Sequence, residues 1–237
     1  MATDADVLAN VRAQRRKLIE VRATIERTVG DFDRVSLPTT DGDVLRDLLA
    51  ADKAHTVTEI GLAYGSSALA ISEALVSQGS ENSKHVIIDA YQAAFHNAGW
   101  SAITDVGLTD VCSLISERLQ IALPRLMTNG FIADAAFVDG SHIFHNVFVD
   151  LFFLRELVRP GGLVVLDDCD WPSVATAVRY FEFNARWRPV ATKELTRLRA
   201  YRLPDPQFEP GFEDFKPSPK TDAFGRSARD LQFNLRL

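Results

Sequence analysis

The sequence is poor in cysteine and has no long apolar run. Only two of its 237 residues are cysteines, Cys112 and Cys169, which excludes a disulfide scaffold and favours a reducing, cytoplasmic compartment. No apolar run approaches the roughly 18 residues that a membrane-spanning helix needs. Because the N-terminus has no apolar segment followed by a small-residue cleavage site, we expect no secretory signal.

The sequence has fewer basic residues than acidic ones. Lys and Arg number 26 against 32 for Asp and Glu, which gives a formal net charge of −6. Binding to duplex nucleic acid draws most of its free energy from cationic contacts to phosphate. We therefore expect neither nucleic acid nor a membrane as a partner, and a small molecule becomes the leading candidate ligand.

The first 36 residues are expected to form an N-terminal amphipathic helical arm. Apolar side chains there recur at mostly three- and four-residue spacing: Val7, Leu8, Val11, Leu18, Ile25 and Val29. A basic run from Arg12 to Lys17 lies between them. We interpret this run as a solvated helix face, with a partner or membrane surface as the alternative.

Residues 37–203 show short apolar runs that alternate with helical segments. Strands are predicted at 57–60, 86–88, 112–115, 135–138 and 163–166, with helices at 67–76, 121–127, 144–158 and 173–184. Such alternation predicts an α/β fold, a Rossmann-like doubly wound sheet with parallel pairing and right-handed crossovers. Two extended segments at 187–193 and 197–203 are separated by a short turn, so we expect a terminal antiparallel hairpin at one edge.

The tail, residues 204–237, holds five of the ten prolines and five of the fifteen phenylalanines. Proline density argues against regular structure, yet disordered segments are poor in aromatic residues. We therefore expect the tail to lie against an apolar surface, either over the chain's own ligand pocket or on a second subunit. The amphipathic arm has the same need for a partner surface, which favours a homodimer.

The first predicted strand runs into a glycine turn, EIGLAYGSS, from Glu59 to Ser67. In an open α/β sheet, ligands bind beyond the carboxyl ends of the strands. The dinucleotide fingerprint GxGxxG has one residue between its first two glycines, whereas three residues separate Gly61 from Gly65. The spacing therefore favours an ExGxxxG turn over a dinucleotide-binding turn. Asp89 ends the second strand, where a carboxylate can accept both hydroxyls of a ribose. The alternative is an ordinary strand-to-helix turn and a loop acid.

Carboxylates also end two later strands. Asp139 follows the fourth strand, and Asp167 and Asp168 follow the fifth. Since like charges at close range repel, a hard divalent cation such as Mg²⁺ would stabilise the cluster. The alternative is that the Asp139 segment is only a turn and helix cap, and that the Asp167 pair is a solvated loop.

His142 follows three residues after Asp139, at or just before a helix. A helix N-terminus and a nearby metal ion both disfavour imidazolium, so we expect a neutral imidazole that can act as a general base. The alternative is a capping histidine or one that supports the metal ligands.

Together with the terminal hairpin, these motifs resemble the class I S-adenosylmethionine-dependent methyltransferases over about residues 37–203. The segments TEIGLAYGSSALAI and AAFVDGSHIFHNVFVDLFFLRELVRPGGLVVLDDCDWPSV look like the small-molecule O-methyltransferase group, which includes catechol O-methyltransferase and bacterial natural-product tailoring enzymes. The resemblance implies a set of residues that bind the cofactor: Glu59, Gly61, Gly65, Ser67, Asp89, Gln120 and Asp139. It also implies a metal held by Asp139, Asp167 and Asp168, with Asp168 in place of an Asn of the catechol enzyme.

The expected reaction is transfer of a methyl group to a small-molecule hydroxyl, with Mg²⁺ or another divalent cation orienting the acceptor and His142 taking its proton. Phenols, catechols and sugar diols are the expected acceptors. Two alternatives stay open. One is a metal-independent methyltransferase, and the other is a nucleotide-binding or nicotinamide-dependent protein on the same fold that transfers no methyl group.

Overall fold

A seven-stranded sheet organises residues 3–29, 32–192 and 196–217, the part of the chain that the computed structural model describes. Its strand order is β3-β2-β1-β4-β5-β7-β6. The strands are β1 (Thr56–Ile60), β2 (Lys84–Ile88), β3 (Cys112–Ile115), β4 (Ala133–Val138), β5 (Val158–Leu166), β6 (Arg188–Val190) and β7 (Arg199–Arg202).

The first five strands are parallel, and β7 pairs antiparallel with both β5 and β6. The predicted doubly wound sheet and its terminal hairpin are therefore confirmed. The predicted hairpin strand at 187–193 is shorter in the structure, and residues 193–195 lie outside the described part. Since the chain turns back from β3 to place β4 beside β1, the topological switch point lies between β1 and β4, where such sheets bind ligands.

Helices cover both faces of the sheet. They are α1 (Asp4–Val29), α2 (Phe32–Val35), α3 (Thr39–Ala51), α4 (Ser66–Ser77), α5 (Ala98–Asp105), α6 (Leu119–Thr128), α7 (Phe144–Leu157) and α8 (Pro172–Asn184). The core between α1, α3, α4, α5 and the sheet is continuous, and α6, α7 and α8 enclose a second core on the other face. The sequence analysis did not predict α5, which is short and contains Gly99. No helix in the described ranges is both long enough and apolar enough to cross a membrane.

The arm finds its partner surface within its own chain. Val11 of α1 is fully buried in the same core as α4, and its neighbours Val7, Leu8 and Leu18 pack against that core. This coverage weakens the argument that α1 needs a second subunit, and the homodimer stays a prediction.

Two arginines of the basic run also contribute to the docking of α1. Nε of Arg12 lies 2.8 Å from Oε1 of Glu73 on α4, and Arg15 pairs with both Glu73 and Asp43. Glu73 and the Arg15 side chain are both nearly buried, so the pair they form is shielded from water, whereas Arg12 and Asp43 remain exposed. Only part of the basic run is therefore the solvated face that the sequence suggested.

The described part of the tail contacts the rest of the protein through polar and aromatic groups. Asn184 and Lys216 exchange two hydrogen bonds, and Glu209 pairs with Arg155. The guanidinium carbon of Arg186 lies 3.6 Å from the ring centroid of Phe208, and Phe215 lies 6.5 Å from the Tyr180 ring. Phe212 is fully exposed. Phe224 and Phe233 lie outside the described residues, so burial of the whole tail stays a prediction.

Replacing Asp150 with Asn should stabilise the fold at neutral pH. Asp150 of α7 is 1% exposed, neither of its carboxyl oxygens has a hydrogen-bond partner within the described ranges, and burial raises its pKa to about 7. The unfolded carboxyl ionises near 3.8, so stability falls as pH rises from about 4 to about 7, by roughly 2 to 4 kcal/mol. Urea unfolding between pH 5 and 8 measures this loss.

The amide does not titrate, so the advantage of the Asp150→Asn variant should grow up to about pH 7 and stay constant above it. Asp110→Asn, at an exposed acid in the turn before β3, is the matched control. A stability advantage of Asp150→Asn that is the same at every pH from 5 to 8 would contradict this account.

Candidate active site

A cavity of about 580 Å³ opens at the carboxyl ends of the parallel strands. This volume is in the range of small-molecule sites. Its lining includes six residues that the sequence singled out: Gly61, Asp89, Gln120, Asp139, His142 and Asp168. The cavity is not lined by the remaining four, Glu59, Gly65, Ser67 and Asp167.

Gly61 lies where β1 and β4 come closest. Its φ is +89°, and a Cβ atom there would be 2.0 Å from the carbonyl oxygen of Asp139. The two strand ends are joined by a hydrogen bond from the N–H of Asp139 to the oxygen of Ile60, 2.9 Å long. Only glycine fits this position, so Gly61 brings the cofactor turn and the acidic end of β4 together.

Asp89 holds the glycine turn in place. Its Oδ2 accepts the N–H groups of Leu62 and Ala63 at 3.0 and 3.2 Å and the side-chain amide of Gln92 at 2.8 Å. Its Oδ1 accepts the N–H of Tyr91 at 2.7 Å. The sequence predicted a ribose contact for Asp89 but not this second role, because the donors are mostly backbone groups that no motif reveals.

Glu59 lies beneath the turn. It is fully buried, accepts a hydrogen bond from the Ser67 hydroxyl, and has Nε2 of His85 2.9 Å from its Oε2. The structure therefore separates Glu59 and Ser67 from the cavity, although the resemblance implied that they line the methionine end of the cofactor. Gln120 lines the cavity, and its side-chain amide donates a hydrogen bond to Asn146 at 3.2 Å.

The acidic cluster divides into two parts. Ligand atoms of Asp139, His142 and Asp168 all lie within 4.8 Å of one another. Asp167 is engaged elsewhere, because its Oδ2 accepts a hydrogen bond from Arg197 at 2.6 Å and its Oδ1 accepts the N–H of Asp168 at 2.8 Å. The three carboxylates predicted as metal ligands are therefore not all available, because Asp167 is already hydrogen-bonded. The imidazole of His142 takes the third position beside Asp139 and Asp168.

Arg197 was missed by the sequence analysis. Arg197 precedes β7, which pairs antiparallel with β5. This pairing brings the Arg197 guanidinium to the carboxyl end of β5, beside Asp167. Its NH1 also lies 3.8 Å from Oδ1 of Asp168. The available signal was the basic segment that precedes the last strand, but only the sheet order shows which acids it meets.

The carboxylates at the cavity repel one another. Burial, followed by repulsion from Asp167 and Asp168, raises the pKa of Asp139 to about 8. The hydrogen bond with His142 lowers the pKa of Asp168. Two carboxylates and one imidazole that face a cavity fit a single divalent cation by donor type and spacing.

His142 is held by its surroundings on two sides. Its Nε2 lies 2.7 Å from Oδ2 of Asp168, and its ring centroid is 5.5 Å from that of Trp171. The hydrogen bond with Asp168 raises the pKa of His142, in contrast to the lowering expected from a helix N-terminus. The reason is that His142 precedes the cap of α7, at Ile143, and three carboxylates outweigh the helix dipole.

Ser141 serves as the turn residue that the alternative interpretation expected. Its hydroxyl oxygen accepts the N–H of Ile143 at 3.2 Å and the side-chain amide of Asn146 at 2.9 Å. A capping role for this segment and a chemical role for its neighbours are therefore compatible.

Comparison with known proteins finds a match for the central part of the chain. Residues 58–169 match the family model of a methyltransferase domain. None of the curated proteins matches the chain by sequence. Among solved structures, the chain is similar to an O-methyltransferase from Bacillus cereus in complex with S-adenosylhomocysteine (SAH). The two are 17% identical, the match covers 80% of this chain and 90% of that chain, and the TM-score is 0.64.

Two further structures have the same fold. The O-methyltransferase TomG from Streptomyces achromogenes, involved in tomaymycin synthesis and in complex with SAM, is 20% identical over 84% of this chain and 89% of its own, with a TM-score of 0.58. An SAH-bound methyltransferase from Podospora anserina is 17% identical over 79% and 95%, with a TM-score of 0.55. At these identities the likeness establishes the fold and not the substrate.

Replacing Arg197 with Gln should raise the affinity of the acidic cluster for a divalent cation. The change removes a positive charge that lies 3.8 Å from Oδ1 of Asp168 and also acts on Asp139, and we expect binding of Mn²⁺ to tighten by about tenfold. Titration calorimetry with Mn²⁺ measures the effect. Arg199→Gln is the matched control, because Arg199 lies 3.9 Å from the exposed Asp170. Equal affinity in the two variants would show that Arg197 does not compete with a cation.

Proposed function

We propose that this chain, whose residues 58–169 match a methyltransferase domain, transfers a methyl group from S-adenosylmethionine to a hydroxyl of a small molecule. The observation that carries the proposal is a single cavity with two chemically different ends. We call the part lined by Gly61 and Asp89 the donor end and the part lined by Asp139, His142 and Asp168 the acceptor end; the two meet where Gly61 packs against Asp139. A donor and an acceptor that bind in one cavity can be aligned for direct displacement.

The donor end suits an adenosyl group better than a dinucleotide. Asp89 keeps acceptor capacity toward the cavity, since Oδ1 receives only one hydrogen bond from the described residues. Gln120 lies in the cavity lining with its polar side chain exposed. The SAM and SAH complexes of the similar structures support the choice of cofactor, and the wide spacing of Gly61 and Gly65 argues against NAD.

The acceptor end provides a base. With Nε2 engaged by Asp168, the other ring nitrogen of His142, Nδ1, has no partner among the described residues and can accept the acceptor's hydroxyl proton. Asp168 fixes the tautomer and stabilises the imidazolium that forms, as the carboxylate does in other histidine–carboxylate pairs. Proton removal makes the oxygen nucleophilic enough to attack the sulfonium methyl group.

Asp139 and Asp168, with His142 beside them, would hold a divalent cation at this end. Such a cation, when bound, lowers the pKa of a coordinated hydroxyl and orients it. Acceptors with two neighbouring oxygens, such as catechols and vicinal sugar diols, have the chemistry to engage both a cation and a base, and phenols can use the base alone.

A metal-independent methyltransferase is the second candidate. It is favoured by Arg197, which already supplies a positive charge to Asp167 and lies 3.8 Å from Asp168. Turnover measured in the presence of a chelator separates the two candidates, because only the metal-dependent enzyme loses its activity and regains it with Mg²⁺.

Purified protein should bind S-adenosylhomocysteine with micromolar-class affinity and should not bind NAD. Replacing Asp89 with Ala should weaken this binding by about 1.5 to 3 kcal/mol, the range for a hydrogen bond that involves a charged group. Titration calorimetry measures both ligands. Asp170→Ala changes an exposed acid beside the same site and should leave the affinity unaltered. Binding of NAD without S-adenosylhomocysteine would overturn the proposed function.

Replacing His142 with Ala should lower the rate of methyl transfer by about 10² to 10⁴ and leave cofactor affinity unchanged, because the base acts only on the acceptor. Single-turnover transfer of a labelled methyl group measures the rate. Since the base must be deprotonated and its pKa is raised, the wild-type rate should climb with pH, and the variant should lose that dependence. His145→Ala, on the exposed side of α7, is the control. An unchanged rate in His142→Ala would assign His142 a structural role.

A further inference from the structure

A cluster of polar side chains is buried beneath the glycine turn, outside the cavity. We name it the buried polar cluster; its members are Glu59, Ser67, Ser72, His85 and Cys112. None of them is more than 5% exposed, and three of them are completely buried. They come from three adjacent strands, β1, β2 and β3, and from α4, which packs over them. Polar groups in such a place destabilise the fold unless they are paired.

His85 contacts most of the cluster. Its Nε2 lies 2.9 Å from Oε2 of Glu59, and its Nδ1 lies 3.4 Å from the hydroxyl of Ser72 and 3.6 Å from the sulfur of Cys112. The alignment between His85 and Glu59 falls short of a full hydrogen bond, so the pair is an ion pair held by proximity. Within the described residues, no arginine or lysine pairs with Glu59.

Glu59 connects this pair to the turn. Its Oε1 accepts the hydroxyl of Ser67, which lies in the first turn of α4, immediately after Gly65 and Ser66. The N-terminus of α4 presents unpaired N–H groups toward the cofactor end of the sheet. A chain of contacts thus links His85 through Glu59 and Ser67 to the start of α4.

We propose that His85 is a positioning residue, which acts through Glu59 and Ser67 to hold the glycine turn and the start of α4 in the geometry that binds the cofactor. This inference rests on the proposed function. His85 itself does not line the cavity. It acts by keeping a positive charge beside a carboxylate that would otherwise be buried without compensation.

The electrostatics of the cluster agree with a charged imidazole. Burial lowers the pKa of His85, but contacts with Cys112 and Glu59 raise it, and the balance is a pKa of about 9. The facing groups are Glu59 on β1, Cys112 on β3, and Ser72 on α4. A histidine whose pKa is raised stabilises the fold fully below about pH 6.5, and this contribution is lost as pH rises through about 9.

His85→Leu tests the proposal by leaving Glu59 buried without a cation. We expect the affinity for S-adenosylhomocysteine to fall by about tenfold, which corresponds to the loss of a charged partner, while turnover at saturating cofactor changes little. Glu59→Gln combined with His85→Leu should be no weaker in binding than His85→Leu alone, because both changes act on one interaction. His55→Leu, at the amino end of β1, is the control and should bind as the wild type does.

Two structural readouts accompany the affinities. The nitrogen chemical shifts of the His85 ring should report an imidazolium at pH 7, and amide hydrogen exchange at residues 62–69 should accelerate in His85→Leu but not in His55→Leu. A neutral ring at pH 7 would overturn the proposal, as would a variant that melts at a lower temperature yet binds the cofactor and exchanges its amides as before.

Failure of the proposed function gives a different pattern. If the wild type binds no S-adenosylhomocysteine but exchange at residues 62–69 still depends on His85, the cofactor assignment fails and the positioning of the turn stands. If the wild type binds the cofactor and the exchange is independent of His85, the positioning proposal fails alone.

Discussion

Five carboxyl groups are crowded at one end of a parallel sheet, and their compensation is the constraint on which the rest of this site depends: Glu59, Asp89, Asp139, Asp167 and Asp168. A buried carboxylate needs hydrogen bonds or a counter-ion to remain ionised. The chain uses backbone N–H groups for Asp89, a histidine of β2 for Glu59, and an arginine before β7 for Asp167. Asp139 and Asp168 also face the cavity; Asp168 pairs with His142, whereas Asp139 has no side-chain hydrogen bond within the described residues.

The close approach of β1 and β4 makes this crowding unavoidable. Because the backbone of Asp139 lies against Gly61, the acidic end of β4 cannot move away from the cofactor turn without breaking the strand pairing. The same rigidity is useful for methyl transfer, where donor and acceptor must be aligned within a fraction of an ångström. The repulsion between the acids therefore results from the same close packing that fixes the cofactor turn relative to the carboxyl end of β4.

The sequence predicted the sheet, its parallel core and its hairpin, because hydrophobic periodicity reports local structure and strand ends converge by topology. It also placed Asp139, His142 and Asp168 at one site, since all three follow strands β4 and β5 closely. It did not predict that Arg197 engages Asp167, nor that Asp89 holds the turn. These contacts join residues far apart in the chain, and only the strand order and the path of each loop determine them. The docking of Arg15 on Glu73 was missed for the same reason.

The two acids left facing the cavity determine how the site treats a cation. Asp139, with a pKa of about 8, holds a proton near neutral pH unless a positive charge replaces it. Asp168 has a left-handed backbone, with φ of 54°, that turns its N–H toward Asp167 while its side chain reaches His142. A sulfonium, a divalent ion or a proton can each balance Asp139, and each then removes its repulsion of the ionised Asp168. In the proposed reaction, the metal-dependent and metal-independent candidates therefore differ in the cation that balances Asp139 when the substrates bind.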